Sequence, residues 1–134
     1  MSQAYVSTLL RKLVFDRADG RCEYCKVEER RGFSKHQIDH IIALKHGGET
    51  YENNLALCCM LCNLHKGSDI SSLDLETGII APLFNPRRNA WPDHFFIDQG
   101  YLVGRTPIGR GTIRLLQLNS QLRVDERLSQ DYAN

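Results

Sequence analysis

The chain of 134 residues has an apolar fraction of 42% and a charged fraction of 25%, values of a folded globular protein and not of a disordered one. A formal net charge of +1 excludes a globally basic surface, so any nucleic-acid footprint has to be local. No stretch approaches the length of a membrane span, and the N-terminal MSQAYVSTLLRKLVFDR places its basic residues after its apolar ones, so a cytoplasmic chain without membrane partners is expected.

In chain order, Ser7 to Ala18 predicts a first helix, with Leu9, Leu10, Leu13 and Val14 at helical intervals behind a capping serine and Gly20 as the stop. RCEYC follows as a tight turn, and GFSKHQIDHIIAL reads as an extended segment leading to a loop at HGGE. The run LALCCMLCNLHKGS begins extended and becomes a short helix that Gly67 ends. Beyond Ser68, GIIAPLF and FFIDQGYLVG predict strands around the turn-prone NPRRNAWPD, with Gln99 and Gly100 at a hairpin turn. Thr106 before Pro107 marks a helix start with Ile108, Leu115 and Leu116 on one face, and a last helix is predicted over about 120–129.

Five cysteines without a secretory signal favour thiolates holding metal over disulfides. Cys22 with Cys25 and Cys59 with Cys62 form two CxxC pairs, and each knuckle of that length presents two sulfurs to one point, as a tetrahedral structural Zn²⁺ requires. Cys58 competes with Cys59 for the fourth position in a CxxxC arrangement; Cys59 is preferred because it repeats the first knuckle's length, leaving Cys58 as a small core residue. A disulfide pair or unrelated buried thiols are the plainer alternatives.

Asp39-His40, Asn54-Leu55 and Cys62-Asn63 with Lys66 resemble the HNH endonucleases, whose catalytic module is the ββα-metal fold. His40 and Asn54 stand fourteen residues apart and Asn54 and Asn63 nine apart, the family's intervals, and Gly47-Gly48 with the bracketing CxxC pairs resembles its zinc-stapled bacterial branch. The length predicts a single domain over 1–134, with an N-terminal helix in 1–20 and a strand-and-helix extension in 69–134 read from the residues, and the resemblance implies an α+β fold with the zinc-stapled catalytic module in 21–68. The resemblance also makes His40 the general base, Asp39 and Asn63 the ligands of a catalytic Mg²⁺ or Mn²⁺, and Asn54 the residue that steadies the loop carrying His40. An imidazole is a competent base near neutral pH, and an oxygen-bound divalent cation offsets charge on a scissile phosphate. The implied substrate is DNA, with RNA as an alternative polymer; a non-catalytic module binding nucleic acid or protein on the same scaffold is the rival, and the oligomeric state is open.

Around this set, Lys66 shares a helix face with Asn63 and is expected to meet a phosphate, whereas His65 projects nearly opposite to Asn63 and is expected to touch nucleic acid if it has a role. His36 is a weaker candidate for orienting a water or phosphate. Arg87, Arg88, Arg105, Arg110 and Arg114 make the tail locally basic, either as a solvated face or as a backbone-binding stripe. Trp91, Phe95, Phe96 and Tyr101 are read as the tail's own core packed on the zinc module, in preference to stacking on bases.

Overall fold

The structure, a computed structural model, describes residues 5–30 and 34–130; residues 1–4 of the N-terminal segment and the opening Gly32 and Phe33 of the predicted extended segment lie outside the described residues. Helix α1 (Thr8–Arg17) starts at Ser7, whose hydroxyl accepts from the Leu10 N–H at 3.1 Å. Its inward face is Leu10, Val14 and Ala18, packed on Leu55 and Leu57. Leu9 and Leu13 are exposed instead, because the four-residue spacing of the buried row leaves them beside the contact.

Strands β1 (Gln37–His40) and β2 (Leu55–Cys58) pair antiparallel, with Asp39 opposite Ala56 and His40 opposite Leu55. β2 is buried along its whole length: Leu55 and Leu57 face α1, while Ala56 and Cys58 face the main core, as strand alternation requires. Helix α2 (Met60–Lys66) follows at once and ends at Gly67, which turns through φ +51°. The expected two-strand, one-helix unit is therefore present, joined by a loop with two short 3₁₀ turns at Leu44–His46 and Glu52–Asn54.

The extension contains β3 (Ser71–Leu73), β4 (Ile80–Pro82), α3 (Trp91–His94), β5 (Phe95–Asp98), β6 (Tyr101–Gly104), α4 (Pro107–Leu115) and α5 (Gln121–Ser129). Gln99 and Gly100 both lie at positive φ in the β5–β6 turn, the geometry that suits the right-handed twist of a tight hairpin. Thr106 caps α4 by accepting from Gly109 N–H at 3.0 Å. Strand β3 is not predicted by its Ser-Ser-Leu composition. Its pairing is fixed from outside, because the buried Asp74 accepts from Thr77 Oγ1 at 2.7 Å and takes both arms of Arg110 at 3.0 Å, tying the β3–β4 turn to α4. The Arg110 bonds hold the Asp74 carboxyl well below the ordinary carboxylate range.

One apolar cluster joins Tyr24, Ile41, Ala56 and the five cysteines to Leu83, Phe84, Phe95, Leu102, Leu116 and Leu118, so the extension and the central unit share an interior. Phe84 meets Tyr24 and Phe95 edge-on, and Trp91 lies 5.0 Å from Phe95 and donates to Tyr24 O at 3.0 Å. Phe96 and Tyr101 do not belong to this core: neighbours on a strand point to opposite faces, and Phe96 turns outward under the Arg105 guanidinium at 4.5 Å. Among the described residues no helix is long and apolar enough to cross a membrane.

Candidate active site and metal centre

The sulfurs of Cys22, Cys25, Cys59 and Cys62 lie within 4.8 Å of one another, all buried. Four thiolates about 2.3 Å from a tetrahedral zinc stand about 3.8 Å apart, and the Cys25–Cys59 separation is 3.7 Å. Each knuckle turns a backbone N–H onto its own sulfur, Cys25 N to Cys22 Sγ at 3.5 Å and Cys62 N to Cys59 Sγ at 3.4 Å. Burial opposes ionisation here, yet the thiols around Cys22 hold it well below the ordinary thiol value. The donor set fits zinc and leaves no position open for chemistry. Cys59 is the fourth member because it caps α2, while Cys58 is the last residue of β2 and faces the core.

Beside this clamp lies an open cleft of about 630 Å³ lined by Asp39, His40, Asn63, Lys45, Gly67 and Ser68. Asp39 and His40 are neighbours with opposite strand faces, and both reach the cleft because β1 ends at His40. His40 Nε2 lies 3.0 Å from Thr50 Oγ1, a contact that fixes the ring by one nitrogen and leaves Nδ1 outside it. Asn63 comes from α2, and its side-chain NH₂ donates to Gln37 Oε1, a bond that does not use its carbonyl oxygen. Gln37 was not singled out by the sequence, although its position two residues before Asp39 puts both on one face of a strand.

Asn54 occupies the loop position implied by the resemblance: its Oδ1 accepts from Ile42 N at 2.9 Å, and its Nδ2 donates to Ile42 O at 3.0 Å and Glu49 O at 2.9 Å. Gly48 packs into the same loop so closely that a Cβ there would stand 1.8 Å from Ile42 O. Gly47, at φ +91°, closes the preceding turn.

Lys66 requires a correction. The residue is 1% exposed, and its ammonium donates to Asp39 Oδ1 at 3.2 Å, His40 O at 3.2 Å and Ile41 O at 3.1 Å. It points from α2 into the protein and not toward a phosphate, because Asp39 is buried and needs a counter-charge. Tyr24 Oη donates to the other oxygen of Asp39 at 2.7 Å. Burial raises the Asp39 pKa against the pull of Lys66, and burial with the nearby Asp39 charge keeps the Tyr24 hydroxyl protonated.

Lys66→Met is accordingly expected to destabilise the zinc-loaded, Mg²⁺-free chain by about 3–5 kcal/mol, the usual cost of stripping one partner from a buried pair. Saturating Mg²⁺ should recover part of that loss by neutralising Asp39, which melts with and without the ion will show.

His36 also lies away from the cleft. Its Nε2 is 3.0 Å from Val27 O, and the residue lines a separate groove of about 440 Å³ against α5, since it precedes β1 and turns to the knuckle side. His65 is half-buried on α2 and is not among the cleft residues. Of the tail arginines, Arg87 pairs with Glu23 and donates to Leu55 O at 3.1 Å, and Arg110 grips Asp74; Arg88, Arg105 and Arg114 are the exposed members.

Two antiparallel strands, a helix, a thiolate clamp and oxygen donors at the strand end define a zinc-stapled ββα module. Residues 22–69 match the family model described as HNH endonuclease, and the chain carries a domain of that family. No curated protein and no solved structure gives a significant match.

Proposed function

We propose that the chain is a metal-dependent endonuclease that hydrolyses DNA phosphodiester bonds in the cleft between β1 and α2. The observation that carries this is the convergence of Asp39, His40 and Asn63 on one open cleft within the HNH domain. In this reading Asp39 and the Asn63 carbonyl hold Mg²⁺ or Mn²⁺, the hard oxygen donors such ions prefer. Held there, such an ion would offset the negative charge that develops as a phosphodiester is hydrolysed.

His40 removes a proton from the attacking water through Nδ1, with Thr50 fixing the ring through Nε2. Asn54 bridges the loop on both sides of the Gly47-Gly48 turn, so the backbone after His40 is fixed before substrate arrives. Tyr24 and Lys66 set the orientation of Asp39 from behind. Lys66 and Asp39 are together neutral, so a divalent ion brings a full positive excess to the cleft; this attracts phosphate and limits affinity for the ion itself. Lys45 on the cleft rim, with exposed Arg88, supplies cations for flanking phosphates. Zinc is assigned to the four sulfurs as a structural ion, and the chain works in the cytoplasm as one domain.

Incubating supercoiled plasmid and a structured RNA in parallel, with Mg²⁺ or Mn²⁺, tests this assignment. Nicked circles with intact RNA are expected. Cleavage confined to RNA would move the substrate, and binding of either polymer without cleavage in both metals would favour the non-catalytic module.

A further inference from the structure

The family match ends at residue 69 and gives the last helix no task. Helix α5 nevertheless reaches the thiolate cluster. Arg123 is 1% exposed, with Nη2 at 2.8 Å from Cys62 Sγ and 3.5 Å from Cys59 Sγ, and Nη1 at 3.3 Å from Leu116 O. Its Nε is buried with no hydrogen-bond partner, so complete hydrogen bonding does not explain why the guanidinium sits there. Arg127, one turn later and equally buried, supplies the contrast, donating to Gly100 O at 2.7 Å, Leu118 O at 2.6 Å and Asn119 Oδ1 at 3.2 Å.

The segment that follows the other knuckle is fastened to the opposite, C-terminal end of the helix. Gln130 accepts from Glu28 N at 2.8 Å and donates to Glu28 O at 3.2 Å, and Arg30 donates to Ser129 O at 3.3 Å. α5 therefore touches the Cys59–Cys62 knuckle directly through Arg123 and holds the segment after Cys25 through its C-terminal end. Four thiolates around Zn²⁺ carry two net negative charges, and a buried guanidinium at hydrogen-bond distance removes one of them. A buried dianion without this neighbour is expensive, and so is a buried guanidinium without the dianion.

We propose that Arg123 is an outer-sphere partner of the zinc thiolates, making zinc retention and docking of α5 one coupled equilibrium. The ion holds the C-terminal helix in place, and the docked helix raises affinity for the ion; linkage makes these two effects reciprocal. This gives the extension a role that does not depend on the cleft.

The test uses the full, zinc-loaded chain, after metal analysis has shown one Zn²⁺ per chain. Zinc transfer to a chromogenic chelator is timed alongside hydrogen exchange of residues 121–130. Arg123→Met, which keeps bulk and removes charge, is expected to lower zinc affinity about 10–100-fold, the usual range for loss of an outer-sphere partner, read as faster transfer to the chelator, with exchange rising in α5 while the metal is still bound. Arg123→Lys should fall between it and the parent. Arg127→Met should lower the melting point yet release zinc at close to the parent rate.

Equal release from Arg123→Met and Arg127→Met would overturn the coupling and leave the zinc assignment standing. If Arg123→Met does not fold, Arg123→Lys against Arg127→Lys carries the same comparison. Absence of bound zinc in the parent would remove both the coupling and the zinc assignment.

Discussion

Replacing Cys25 with Ser is expected to abolish cooperative folding of the whole chain, not to loosen one loop. Cys25 belongs to the cluster that contains Phe84, Phe95, Leu116 and Leu118, so the residues that would hold the ion also form the centre of the main core. Structural zinc contributes about 10–16 kcal/mol of apparent free energy in small peptides, comparable to or larger than the net stability of about 5–15 kcal/mol of an ordinary domain. Circular dichroism should show a broad, early melt, and stripping zinc from the parent with a strong chelator should reproduce it. Cys58→Ala removes a thiol from the same core without touching the four sulfurs, so it should keep one zinc per chain and a sharp transition. A cooperative melt of Cys25→Ser close to the parent's would mean that packing alone holds the fold.

His40→Ala is expected to lower the nicking rate by about 10²–10⁴-fold, the range a positioned general base contributes. Stability should hardly change, because the side chain stands at a strand end and its bond in the fold is to Thr50. Thr50→Val should give a smaller loss, since the ring keeps its nitrogen but loses its orientation. Single-turnover nicking at saturating Mg²⁺, with melting curves for each variant, separates the base from its support. Equal rates for parent and His40→Ala would transfer the role to another group.

The central unit was legible because its determinants are local. CxxC spacing fixes each knuckle, the Asp39-His40 pair sits at the end of an alternating segment, and the intervals to Asn54 and Asn63 are set by one loop and one helix. What stayed hidden depends on pairings across the chain. Lys66 reads as a surface cation from helical spacing alone, and only the burial of Asp39 twenty-seven residues earlier turns it inward. Arg123 reads as an ordinary charge of a polar helix, since nothing near it in sequence announces a sulfur sixty-one residues away. Strand β3 likewise owes its existence to Asp74 and Arg110, and the outward turn of Phe96 needed the register of β5 before it could be seen. Gln37 is different: strand alternation from Asp39 was a sufficient signal for it.

Mn²⁺ binding to the zinc-loaded chain, followed by electron paramagnetic resonance, addresses most directly the claim that an oxygen-bound cation faces His40 in the cleft. One Mn²⁺ per chain is expected at saturating ion, bound with modest affinity, retained in His40→Ala and lost or greatly weakened in Asn63→Ala, while both variants keep their zinc and their melting transition. Mn²⁺ binding that is indifferent to Asn63→Ala, or no bound Mn²⁺ in the parent, would contradict the site as drawn.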